Sequence, residues 1–296
     1  MNDQYYPEGM FPARLQCGGM TWEQLHRALE SGAILEGTAV SATTEHDLMV
    51  DLGSCTGRIP RNETAIGVAD GSVRDIAILS RVGKPVCFRL LSMEDGEILL
   101  TRRQAQEEAL RHLLYEVPTG TVLPAVVTHL DRFGAFCDIG CGNVSLLPIE
   151  HISISRIRHS RERFADGQHI FVAISSRDLR LRRLNLTHKE LLGTWQENAR
   201  RFSLGETVVG IVRSVKDYGV FIELSPNLSG LAEYRGDLQP GDRVSVYIKA
   251  IIPERRKIKL IVIRTLPPSR ALPPLQYTQT TGFVSHWQYE GVPVGS

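Results

Sequence analysis

The hydrophobic positions of this chain gather into short runs separated by turn residues, and the runs recur. "TVLPAVVTHL" (121–130) and "ETVVGIVRSV" (206–215) are rich in β-branched residues and read as strands. Each leads into an aromatic pair around a glycine: Phe133 and Phe136 in "DRFGAFCDI", Tyr218 and Phe221 in "KDYGVFIEL". The offset that carries Phe133 onto Tyr218 also carries Gly120 onto Gly205 and Val127 onto Val212. A turn and a short apolar run follow each pair, "GCGNVSLLPI" (140–149) and "SPNLSGLAEY" (225–234). "GQHIFVAI" (167–174) then matches "GDRVSVYI" (241–248), and both units close on a basic-apolar strand, "RRLNLT" (182–187) and "RKIKLI" (256–261). The second of these units is shorter in its middle.

A weaker copy precedes them. "LMVDLG" (48–53), "GKPVCFRL" (83–90) and "GEILLT" (96–101) align with the later units, and His46 and Met49 stand at the aromatic positions. A long repeat of strands and turns predicts an array of small β domains, not a helical solenoid. Helices punctuate the array at capping boxes formed by Thr21 with Gln24, Thr101 with Gln104 and Thr187 with Glu190. Gly32 closes the first helix, and "PPSRALPP" (267–274) predicts an extended, mobile tail whose aromatics could still dock on a neighbour.

The expected fold is mainly β, a tandem array of three five-stranded OB-fold barrels joined by short helices, with a Pro-rich C-terminal tail. The boundaries are an N-terminal segment with a capped helix at 1–32, a divergent first repeat at 33–103 and a helical connector at 104–117. The second repeat spans 118–186, a second connector 187–202, the third repeat 203–266 and the flexible tail 267–296.

Such barrels bind single strands on one face. A bulge or tight bend at Gly134 would let Phe133 and Phe136 share a face despite their spacing, suited to stacking on successive bases. Arg132 and Lys216, beside the two pairs, would track phosphates. The alternative places the rings in the barrel core. Against it, the second repeat already has core candidates in Val122, Val126, Ile139, Leu146, Ile170 and Val172, and a structural ring should survive in the first repeat too.

Charge follows the same division. The chain's net charge is only +1, but residues 33–103 carry eight Lys/Arg against ten Asp/Glu, 118–201 twelve against eight, and 202–266 ten against seven. The composition, 42% hydrophobic and 23% charged, is that of a globular protein. No apolar run is long enough for a membrane helix and no signal peptide is visible, so a cytoplasmic protein without membrane contact is expected. The five cysteines lack finger spacing and read as reduced thiols, with no metal site. No phosphate-loop, metalloprotease-helix or nucleophile-elbow motif appears, so no enzyme, cofactor or small-molecule substrate is expected.

The units resemble the RNA-binding repeats of bacterial small-subunit ribosomal protein S-one. The third repeat carries the pattern as "GIVRSVKDYGVFIEL", "GLAEY", "GDRVSVYI" and "RKIKL", and the second as "AVVTHLDRFGAFCDI", "SLLPIEHIS", "GQHIFVAI" and "RRLNLT". The first, with "EGTAVSATTEHDLMVDLG" and "GRIPRNE", is similar to that family's divergent first repeat. The resemblance implies that Phe133 with Phe136, and Tyr218 with Phe221, stack on RNA, and that Arg183 and Lys257 lie beside the RNA path. The family's histidine is replaced by Pro148 and Glu233; His151 could supply a contact instead, or be a surface histidine, and the glutamate should weaken binding. The implied function is non-enzymatic binding of single-stranded mRNA in the bacterial translation apparatus, with the acidic first repeat docking on the small ribosomal subunit. A free-standing RNA-binding regulator or ribosome-associated factor, and a protein-interaction scaffold, are the alternatives.

Overall fold

A computed structural model describes residues 5–269, 271–272, 274–285, 287 and 289. Three closed five-stranded barrels follow one another. The first contains β1 (Leu35–Ala42), β2 (Leu48–Asp51), β3 (Thr56–Ile59), β4 (Pro85–Glu94) and β5 (Glu97–Thr101). The second contains β6 (Val122–Leu130), β7 (Gly134–Asp138), β8 (Val144–Pro148), β9 (His169–Asp178) and β10 (Arg183–Thr187). The third contains β11 (Thr207–Lys216), β12 (Gly219–Ser225), β13 (Leu228–Ala232), β14 (Arg243–Ile252) and β15 (Lys257–Leu266). All share the strand order 1-2-3-5-4, closed by pairing of the first and fourth strands, with the third and fifth parallel. That is the architecture the repeats predict.

Each first strand bulges at the same place, between Ala39 and Ser41, Val127 and His129, and Val212 and Ser214. Of the bulge or tight bend expected at Gly134, the tight bend is there, closed by the Asp131 N–H on the Gly134 carbonyl, and the bulge lies on the facing strand. In β6 the residues turned into the barrel are Leu123, Ala125, Val127 and, past the bulge, Leu130. Val122 and Val126 are in the opposite phase: Val122 is buried outside the barrel, and Val126 is half-buried. Leu147, not Leu146, fills the core from β8, whereas Ile139, Ile170 and Val172 are core as expected.

Helix α1 (Trp22–Ser31) has the Thr21–Gln24 capping box and ends at Gly32, whose φ of 65° suits glycine. A short α2 (Asp75–Leu79) sits in the β3–β4 connection, and α3 (Arg102–Tyr115) follows β5, with Thr101 accepting from the Gln104 N–H. The third box forms elsewhere. Thr187 ends β10, and the chain makes a 3-10 turn, Lys189–Leu192. Gly193, at φ 81° and ψ 167°, stops it, so Thr194 and Glu197 cap the short α4 (Trp195–Ala199).

Buried ionic groups join the barrels. Between the first two, Glu8 accepts from the Arg102 guanidinium at 2.6 and 2.9 Å and from Arg81 at 3.0 Å. Its backbone N–H donates to Asp138 at 2.7 Å. Although burial opposes it, Arg102 holds Glu8 below the usual carboxylate range, whereas burial and then Glu8 push Asp138 up to about 7. Between the second and third, Glu223 accepts from Arg163 and Arg213, each at 2.6 Å. Ser155 Oγ lies 2.9 Å from Ser229 Oγ, and the Ile154 N–H donates to Asn227 at 3.1 Å.

The tail expected to be flexible packs on the second barrel in its described part. Val122 donates to the Gly282 carbonyl at 3.0 Å and Val284 to that of Gly120 at 2.8 Å. Tyr277, Val284 and Trp287 cover Val122, Ala173 and Leu191. His188, whose pKa burial lowers to about 4, is neutral; Nδ1 lies 2.7 Å from the Ile152 carbonyl and Nε2 3.0 Å from the Tyr277 hydroxyl. Nδ1 therefore carries the proton, and Nε2 accepts from Tyr277. Buried apolar area outweighs the Pro-rich composition that reads as extended chain.

Candidate nucleic-acid interface

Strand register builds one outer-face row in each barrel. Phe136 on β7 lies opposite His129 on β6 and Leu146 on β8, and Leu146 lies opposite Asn185 on β10. The third barrel repeats the row as Ser214, Phe221, Leu231 and Lys259, and the first as Ser41, Met49, Arg58 and Leu99.

The second ring of each pair comes from the hairpin turn. Phe133 is 52% exposed and meets Phe136 edge to face, with centroids 5.7 Å apart and planes at 90°. Tyr218 is 67% exposed and meets Phe221 at 6.1 Å and 90°. The glycine between them is a steric requirement: a Cβ on Gly134 would lie 2.3 Å from the Leu147 carbonyl oxygen, and one on Gly219 2.6 Å from that of Ala232. Close packing of the third strand against the turn lets rings three residues apart meet. Phe133 and Tyr218 contradict a core assignment by their exposure, while Phe136 and Phe221 are half-buried bases for them.

The expected cations occupy the same side. Arg132 is exposed beside Phe133, and Lys216 is exposed at the hairpin end, paired with Gly219. Arg183 precedes Asn185 by two on β10, and Lys257 precedes Lys259 by two on β15, so strand alternation gives each pair one face. His151 stands outside the row, in the turn Ile149–His151, where its carbonyl accepts from the His188 N–H at 2.9 Å. Glu233 is exposed just past β13. The row members that the sequence reading missed include His129, whose ring lies 6.0 Å from Phe136 at 35°, Asn185 and Lys259. Only cross-strand register could have found them.

On the corresponding face of the first barrel the arginines are paired. Arg58 pairs with Asp47 at 2.9 Å and Glu97 at 2.5 Å. Asp75 takes Arg61 at 2.6 Å and His46 at 3.2 Å. That face thus lacks both the rings and uncommitted positive charge. All five cysteines are free thiols, and burial pushes those of Cys17 and Cys137 up to about 12. Among the described residues, no cluster of three or more metal-ligating side chains occurs and no helix is long and apolar enough to cross a membrane.

Residues 116–189 match the S1 RNA binding domain family. Small ribosomal subunit protein bS1 of Rhizobium meliloti is 27% identical over 83% of this chain, and that of Staphylococcus aureus is 27% identical over the same share. The chain spans 45% of the former protein's length and 66% of the latter's. Among solved structures, a multidomain protein with nucleic acid binding domains from Streptococcus pneumoniae aligns with 79% of this chain and 74% of its own, at 13% identity and a TM-score of 0.26. Residues 116–189 thus match the S1 RNA binding domain, in a chain of three closed five-stranded barrels that is similar over most of its length to small ribosomal subunit protein bS1.

Proposed function

We propose that this chain binds single-stranded RNA, messenger RNA in particular, as a non-catalytic component of the bacterial translation apparatus. The observation that carries the reading is the exposed edge-to-face aromatic pair, present in the second and third barrels and replaced by His46 and Met49 in the first. Exposed aromatics on an OB barrel offer every base a stacking surface, so binding tolerates sequence. Phe133 with Phe136 and Tyr218 with Phe221 stack bases; Arg132, Arg183, Lys216 and Lys257 accompany the phosphates and make the affinity salt-dependent.

The first barrel is assigned to protein contact, on the small ribosomal subunit. Arg58 and Arg61 on its face are neutralised within the fold, and the named relatives are small-subunit proteins. The test is fluorescence anisotropy of a labelled unstructured RNA at two salt concentrations. Wild type should bind and weaken with salt, and a variant with alanine at Phe133, Phe136, Tyr218 and Phe221 should lose binding. Wild type that binds no RNA would overturn the reading. Sedimentation with small ribosomal subunits, with and without charge reversal at Arg58 and Arg61, tests the docking role.

A further inference from the structure

A cleft of about 850 Å³ lies between the segment 156–162 of the second barrel, the third barrel and tail residues within 268–276. It falls within the roughly 300–1,000 Å³ typical of ligand sites. Its walls are cationic. Glu162 and Glu223 face it, but both are engaged by Arg213, and Glu223 also by the buried Arg163. Five more arginines line it: Arg156, Arg158, Arg161, Arg201 and Arg243. Arg201 donates to Gln276 Oε1 at 2.6 Å and Arg243 to the Pro267 carbonyl at 2.9 Å, both neutral partners, and among the described residues neither forms an ion pair. Arg161 meets Asp166 only at 3.7 Å on the surface, where such a pair is worth little.

The aromatic pairs lie outside the lining of the cleft, and each is linked to it through a neighbouring segment. Ser160 Oγ donates to the Asp131 carbonyl at 2.8 Å, anchoring the segment with Arg158 and Arg161 on the turn that carries Phe133. Glu223 follows Phe221 by two on β12, so it shares that outer face, and it is locked under Arg163 of the second barrel. The buried Arg163–Glu223 pair fixes the spacing between the barrels.

We infer that this cleft is a phosphate site, and that one RNA strand crosses it from the Phe133–Phe136 pair to the Tyr218–Phe221 pair. The inference rests on the RNA-binding reading and adds that the two platforms form one track. Because the barrels are held together, a strand engaged on one meets the other at high effective concentration, and the nucleotides between them place their phosphates against the arginines.

The test compares oligouridines of about 4 and about 16 nucleotides, the lower and upper ends of the site sizes of such folds, by anisotropy. The full chain is set against Arg158→Gln with Arg161→Gln, and against lysine at both positions. The glutamine variant should bind the long oligomer about tenfold more weakly and the short one normally, and its salt slope should fall by about 1.4 for two lost phosphate contacts on a single strand. The lysine variant should keep the affinity. An unchanged long-oligomer affinity, or equal losses for both lengths, would overturn the track while leaving RNA binding intact. Wild type that binds neither oligomer would overturn both. Wild-type binding of polyglutamate as tight as that of the long RNA would assign the cleft to acidic protein segments and overturn the phosphate site.

Discussion

Removing one aromatic pair separates a binding role from a packing role. In Phe133→Ala with Phe136→Ala, each ring withdrawn from stacking forfeits about 1–3 kcal/mol per base, or about 2–6 kcal/mol for two. The unbound rings meet edge to face, a contact worth about 0.5–1.5 kcal/mol that stacking on RNA partly gives up. The net loss is about 0.5–5.5 kcal/mol, centred on about 3 kcal/mol, so affinity should fall tenfold or more. Stability should change little, because Phe133 is half exposed and the barrel core is built from other residues, among them Val127, Leu147 and Val172. RNA anisotropy at fixed salt, with urea denaturation of the same samples, measures both terms. A variant that loses several kcal/mol of stability yet binds RNA normally would show that the rings serve the fold.

Gly134→Ala should destabilise the second barrel by about 2 kcal/mol or more, read as a lower denaturation midpoint, since its Cβ would lie 2.3 Å from the Leu147 carbonyl oxygen. Tyr277→Phe strands the buried His188 Nε2 without its donor; a cost of about 1–3 kcal/mol should loosen the tail, seen as faster hydrogen exchange at Val122 and Val284. Asp138 has a folded-state pKa raised from 3.8 to about 7, so the folded state binds the extra proton. Its contribution to stability is fully present below the unfolded value and is lost as pH rises through about 7. Urea midpoints should therefore fall from about pH 5 to about pH 8, with a smaller fall in Asp138→Asn; an identical slope in the variant would refute the assignment.

What was legible in the sequence was local or repeated. The strand runs, the glycine between the aromatics and the Thr21–Gln24 box each act within a few residues, and three copies made the register of the repeats visible. The phase of β6 was not legible, because "VLPAVV" is apolar on both faces and nothing nearby says that the tail covers Val122. The third cap was ambiguous for a similar reason: Thr187–Glu190 and Thr194–Glu197 both have the right spacing, and the backbone at Gly193 decides between them. The pairs that lock the barrels together, Arg102 with Glu8 and Arg163 with Glu223, join residues far apart in the chain, and no periodicity announces them. The same holds for the rows across β6 to β10 and β11 to β15, which is why His129, Asn185 and Lys259 emerge only from register.

The most direct measurement is photo-crosslinking of the full chain to a labelled single-stranded RNA, with the adducts mapped by mass spectrometry. Adducts should fall on the peptides carrying Phe133 with Phe136 and Tyr218 with Phe221, and not on the hairpin of His46 and Met49. Adducts concentrated on the first barrel, or equally frequent on all three hairpins, would contradict the claim that the paired aromatics are the RNA platforms.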